Sequence, residues 1–272
     1  MRALKAKCVA VAASLAFLVA AIGLPAAAQT PPALKKLQSG PPQSAIFIGN
    51  SFFFYNNGLH GMLRGLYRAA NDKKGLRATL VTISGSGLNW HDVDSYFRPN
   101  AIGSYSFALG NKVVFNDLKK LFDVAIVMDC SQCPIHPTLG KVFDEYARKN
   151  IASIRKHGAE PVLFMSWAYE DRPEMTAQLA ERYTKAGNAL KTLVIPAGLA
   201  FARARLKYPD IRLYVRDKRH PTRAGSYLAA ATTFAALYGR SPEKLTFRAG
   251  LQEETAAKLQ TIAWETVRDF YK

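Results

Sequence analysis

Ala45-Ile46-Phe47-Ile48-Gly49-Asn50-Ser51 is the stretch on which the reading of this chain turns. Its first five residues are apolar without alternation and end on a glycine, which is the pattern of a strand covered on both faces. Outward from it, Leu59, Met62, Leu63, Leu66 and Ala70 recur at helical spacing. Further apolar runs follow at Ala78–Ile83, Val124–Met128 and Pro161–Met165, and helical patterns at Lys141–Lys156 and Glu174–Lys191 separate the later ones. Non-alternating strands spaced by helices predict an α/β protein with a central parallel sheet covered on both faces. Thr222–Tyr238 and Gly250–Tyr271 read as two closing helices. Residues 88–122, rich in Gly, Asn and aromatics, are the least legible part: a lid, an insertion or a small hairpin fits them equally.

Ahead of the first strand, Arg2, Lys5 and Lys7 precede an apolar run from Cys8 to Leu24 that closes on Pro25-Ala26-Ala27-Ala28. This predicts an export signal over residues 1–28 and a periplasmic or extracellular protein; the run is short for a membrane span. Residues 29–43, with four prolines, one glycine and two lysines, read as a linker, and 44–272 as a single domain. The chain holds 37 Lys+Arg against 20 Asp+Glu, a net +17, from which removal of the three leader cations leaves +14. An exported basic protein is expected to meet anionic envelope surfaces rather than nucleic acid, or simply to carry a solvated basic surface.

In open parallel sheets, ligands gather at the carboxyl ends of the strands. The first strand delivers Gly49-Asn50-Ser51 there: a sharp turn that leaves the Ser51 hydroxyl at the sheet edge, or a helix cap. The second delivers Ser84-Gly85-Ser86-Gly87, whose glycines let main-chain N–H groups approach a ligand or serve as an ordinary turn. Late in the chain, Asp217-Lys218-Arg219-His220-Pro221 precedes a helix, so that one carboxylate can hold the tautomer of one imidazole. Trp90 and Trp167, each just beyond a strand, suit either a substrate floor or core packing. Arg216, Lys218, Arg219 and Arg223 make a basic field around the Asp-His pair, suited to an anionic substrate or to plain solvation.

Phe47-Ile48-Gly49-Asn50-Ser51, the glycine loop, and Asp217-x-x-His220-Pro221 followed by Gly225 and Tyr227 together resemble the SGNH/GDSL hydrolase superfamily over about residues 45–240. The resemblance implies a three-layer α/β/α sandwich of the flavodoxin-like kind, with Ser51 as nucleophile, His220 as general base and Asp217 as its orienting carboxylate. It implies oxyanion donors at the Ser51 amide and at Gly85 or Gly87, and an exported serine esterase acting on a small-molecule or glycan ester without a cofactor. Asn50 stands where many members carry Asp. The asparagine that members bring from the loop after the third strand is missing from Asp129-Cys130-Ser131-Gln132-Cys133-Pro134, and Gln132 is the nearest chemical substitute. Without a working donor there the chain would be a slow enzyme or a glycan-binding relative.

Cys130 and Cys133 flank Gln132. In an oxidising compartment they are expected to pair, less for the roughly 2 kcal/mol of loop entropy than to fix the loop. A redox pair would want a helix N-terminus under the first cysteine, and Pro134 and Pro137 oppose that. A metal centre using His136 lacks a fourth ligand nearby, so none is expected.

Overall fold

The computed structural model describes residues 30–71, 75–118 and 120–272; the expected leader, residues 1–28, lies outside them. Four strands form where the apolar runs are: β1 Ser44–Gly49, β2 Arg77–Thr82, β5 Val124–Val127 and β6 Glu160–Phe164. A fifth, β7 Leu193–Ile195, is only three residues long and was not expected. They make one parallel sheet in the order β2-β1-β5-β6-β7. β1 is buried along its whole length between β2 and β5, which is why it needs no polar alternation.

The order reverses direction at β1. Parallel crossovers are right-handed, so the helix between β1 and β2 and the helices between β5, β6 and β7 fall on opposite faces. The former is α2, Leu59–Ala70; the latter are α3, Leu139–Lys156, and α4, Met175–Ala189. Two late helices return to the α2 face: α6, Arg223–Tyr238, packs on α2 and on α7, Glu253–Phe270, while α5, Ala197–Lys207, abuts both. α6 is buried from Ala224 to Leu237 because it is apolar or small all round and lies in the middle of its layer. This is the three-layer α/β/α sandwich expected.

Two regions depart from the sequence reading. Residues 30–43 are no free linker: Leu37 enters the core, the Ala33 N–H donates to Asn188 Oδ1 (2.7 Å), and the Ser39 N–H and hydroxyl both donate to Glu160 Oε2 (2.8 and 2.6 Å). The prolines and lysines gave no sign that Leu34 and Leu37 pack on the core, which seats the segment under the amino ends of the strands. Residues 88–122 resolve into two 3₁₀ turns and a detached antiparallel hairpin, β3 Tyr105–Ala108 with β4 Lys112–Phe115. Its base is held at the amino end of β2, where Arg77 Nη1 donates to the Gly103 carbonyl (3.5 Å).

Candidate active site

Gly49 closes β1 with its backbone pressed on the core: a Cβ there would lie 2.8 Å from the Phe53 ring. Its carbonyl is held from the far side by three donors, the Ile83 N–H (3.1 Å), the Ser86 hydroxyl (3.2 Å) and His91 Nε2–H (3.0 Å). Burial holds the His91 ring below the ordinary imidazole value, against the opposing bond to the Gly49 carbonyl. Asn50 then caps the one-turn helix α1, Ser51–Phe54, its Oδ1 accepting from the Phe52 N–H (3.2 Å). The other end of its amide donates to the Ser86 carbonyl (3.0 Å) and the Asp129 carbonyl (3.1 Å). One buried side chain thus ties together the three loops that follow β1, β2 and β5.

Ser51 is presented at the tip of that turn, and its hydroxyl donates to His220 Nε2 at 2.8 Å. His220 Nδ1–H donates to Asp217 Oδ2 at 2.5 Å, and Asp217 Oδ1 accepts the backbone N–H groups of Arg219 and His220, each at 2.9 Å. Partial burial raises the Asp217 carboxyl, but the bonds from the His220 ring and the two amides outweigh it and hold the group at about 2. The loop is pinned at both ends, by Val215 N–H to the His220 carbonyl (3.0 Å) and Thr222 N–H to the Leu213 carbonyl (2.9 Å), before Thr222 caps α6. The imidazole is stacked on Tyr55 (centroids 4.4 Å apart, planes 12° off parallel) and met edge-on by Phe52 (5.5 Å).

The backbone N–H groups of Ser51 and Gly87 have no acceptor among the described residues. Gly87 is buried beside Asp129, whose Oδ1 would stand 2.8 Å from a Cβ at that position and accepts the Leu88 N–H at 2.8 Å. Burial pushes the Asp129 carboxyl up to about 6, the Leu88 and Cys130 amides opposing. Gly85 is exposed in a left-handed turn (φ +72°) that aims Gly87 inward. Gln132 is exposed and its side chain makes no hydrogen bond among the described residues. Asn89 is the amide side chain found beside Gly87, its Oδ1 2.9 Å from the same imagined Cβ. The sequence reading passed over Asn89; its signal was its place two residues after the glycine loop.

Cys130 and Cys133 are joined as a disulfide, and His136 Nδ1 accepts from the Thr138 hydroxyl (3.0 Å) and from the Leu139 N–H (3.3 Å) at the start of α3. Trp90 is 59% exposed at the surface. Trp167 is not: it is fully buried, sandwiched between Phe52 (4.6 Å) and Phe201 (4.2 Å), with Nε1–H donating to the Arg219 carbonyl (2.9 Å). It can floor no open pocket; the aromatic sandwich that buries it supports the Asp217–His220 loop from beneath.

No protein-family model and no curated relative matches the chain. Among solved structures it is similar to a DUF4886 family protein from Bacteroides uniformis (TM-score 0.56, 19% identity, covering 84% of this chain and 96% of that one). It is also similar to a candidate SGNH hydrolase from Slackia heliotrinireducens (0.51, 22%, 71% and 97%) and to Axe2, an acetylxylan esterase from Geobacillus stearothermophilus (0.52, 16%, 76% and 98%). The fold is that of the SGNH hydrolases.

Proposed function

We propose that the chain is an exported serine hydrolase that cleaves a carboxylic ester, with a small acyl group such as acetyl on a carbohydrate or cell-envelope substrate. The observation that carries this is the unbroken hydrogen-bond chain Ser51–His220–Asp217 at the carboxyl edge of the sheet, the geometry that turns a serine into a nucleophile. The acyl preference is supported more weakly, by the acetylxylan esterases among proteins of like fold.

In the first half-reaction Ser51 Oγ attacks the acyl carbon while its proton passes to His220 Nε2. Asp217, ionised at any working pH because its carboxyl titrates at about 2, balances the charge on the ring and fixes the tautomer. The tetrahedral oxyanion accepts from the Ser51 and Gly87 N–H groups, with Asn89 or Gln132 as the side-chain donor. The bond to the alcohol oxygen breaks as Nε2–H protonates it. Water then adds to the acyl carbon as His220 Nε2 takes its proton; the second tetrahedral intermediate collapses, the bond to Ser51 Oγ breaks as Nε2–H returns the proton to Oγ, and the acid leaves.

Purified protein should hydrolyse p-nitrophenyl acetate, and Ser51→Ala should lose that activity by a factor of about 10⁴ or more; equal rates would refute the assignment. The exposed, unbonded Gln132 keeps one alternative open, a fold relative that binds envelope glycan without turnover. Covalent labelling of Ser51 by a fluorophosphonate separates the two.

A further inference from the structure

Four cations flank His220, Arg216, Lys218 and Arg219 in its loop and Arg223 at the start of α6, and they are not equivalent. Lys218 pairs with Asp171 (3.6 Å). Arg223 reaches away, its Nη1 2.8 Å from where a Cβ of Gly250 would sit. Arg219 is fixed at every point except its charge. Its N–H donates to Asp217 (2.9 Å), its carbonyl accepts from Trp167 (2.9 Å), and its guanidinium lies 4.6 Å over the ring of Tyr169. Tyr169 is itself buried and hydrogen-bonded through its hydroxyl to Ser131 (2.7 Å), the neighbour of Gln132. Among the described residues no carboxylate lies within ion-pair distance of Arg219, which is equally true of Arg216 and Arg223; what sets Arg219 apart from them is the aromatic ring beneath its guanidinium.

A guanidinium held over an aromatic ring keeps N–H donors free and loses little rotamer freedom when it binds an anion. This one stands between the loops after β5 and β6, one residue from the imidazole that would protonate the departing alcohol. The geometry points to Arg219 as the anchor for a carboxylate on the alcohol part of the substrate, which makes the preferred substrate an acyl ester of an acidic sugar such as a uronate. The assignment rests on the ester-hydrolase reading above.

The test compares kcat/KM for 4-acetoxybenzoate, an acetate whose alcohol part carries a carboxylate, with that for its methyl ester. The ratio is read rather than either rate, so that any general loss cancels. Unaltered protein should favour the carboxylate, raised salt should shrink the preference, and Arg219→Gln should reduce the ratio about tenfold, chiefly through KM, the lower range for a charge-assisted hydrogen bond. Arg219→Lys should recover only part of it, since an ammonium cannot offer the paired N–H donors of a guanidinium. Equal ratios in the unaltered protein and Arg219→Gln would overturn the assignment while leaving the hydrolase reading intact. Inactivity of the unaltered protein on both esters and on p-nitrophenyl acetate would overturn both.

Discussion

Tyr55 shows how much of a catalytic arrangement can rest on a residue with no reactive part. It follows α1 directly, so the turn that presents the Ser51 hydroxyl also lays a ring against the face of His220. The stack restrains the imidazole in the orientation that faces the Ser51 hydroxyl. Tyr55→Phe should keep kcat on p-nitrophenyl acetate, whereas Tyr55→Ala should lower it about three- to tenfold with little change in KM, matching the 0.5–1.5 kcal/mol of an aromatic pair. Asp129 has the opposite character. Its carboxyl titrates at about 6 in the folded protein, above its unfolded value near 4, so the stability it contributes is fully present below about pH 4 and is lost as pH rises through 6. Asp129→Asn keeps an acceptor for the Leu88 N–H and removes the titration. Thermal unfolding across pH 4 to 7 should show the unaltered protein losing roughly 2–3 kcal/mol relative to this variant, and parallel curves would contradict the buried-charge account.

At the scale of elements, the four long strands, α3, α4, α6 and α7 and the Asp217–His220 loop were legible because each carries its own periodicity or punctuation. What was not legible had no local signal. β7 is three residues that follow α4 directly and take their place only from β6 alongside. α5 is amphipathic to so slight a degree that its packing between α6 and α7 decides it. Trp167 and Asn89 show the same limit at the site: sequence position left one between substrate floor and core and passed over the other, and only packing assigns them. α6 also fixes the catalytic loop through Gly225, where a Cβ would come within 2.4 Å of the Leu213 carbonyl. Alanine ordinarily stabilises a helix by about 1 kcal/mol over glycine. Here the clash is with backbone that itself anchors the loop, so Gly225→Ala should lower stability by about 1–3 kcal/mol and cut turnover with it. A rise in melting temperature would show the loop to be looser than its hydrogen bonds indicate.

Across the whole molecule, the triad and the detached hairpin lie at opposite edges of the sheet. The triad stands at the carboxyl edge of the sheet, while the β3–β4 hairpin leaves from the amino edge with Phe107 at 75% exposure and Leu109 at 96%. Beside its base, a hollow of about 500 Å³ opens between Phe97, Phe115 and His157. It is larger than anything needed to seat an acetyl group, yet it touches none of the residues around Ser51. Replacing residues 105–115 by a short glycine turn should therefore leave p-nitrophenyl acetate turnover within about twofold, since separated sites act independently. A larger loss would mean that the hairpin reaches the serine.

The strap formed by residues 30–43 runs beneath the amino ends of the strands and leaves from beside Asn188 on the same underside. A bead or affinity tag joined ahead of residue 30 would therefore hold the molecule upright, its reactive mouth pointing away from the support. Immobilised in that orientation, it could work on polymers too large to slip beneath it.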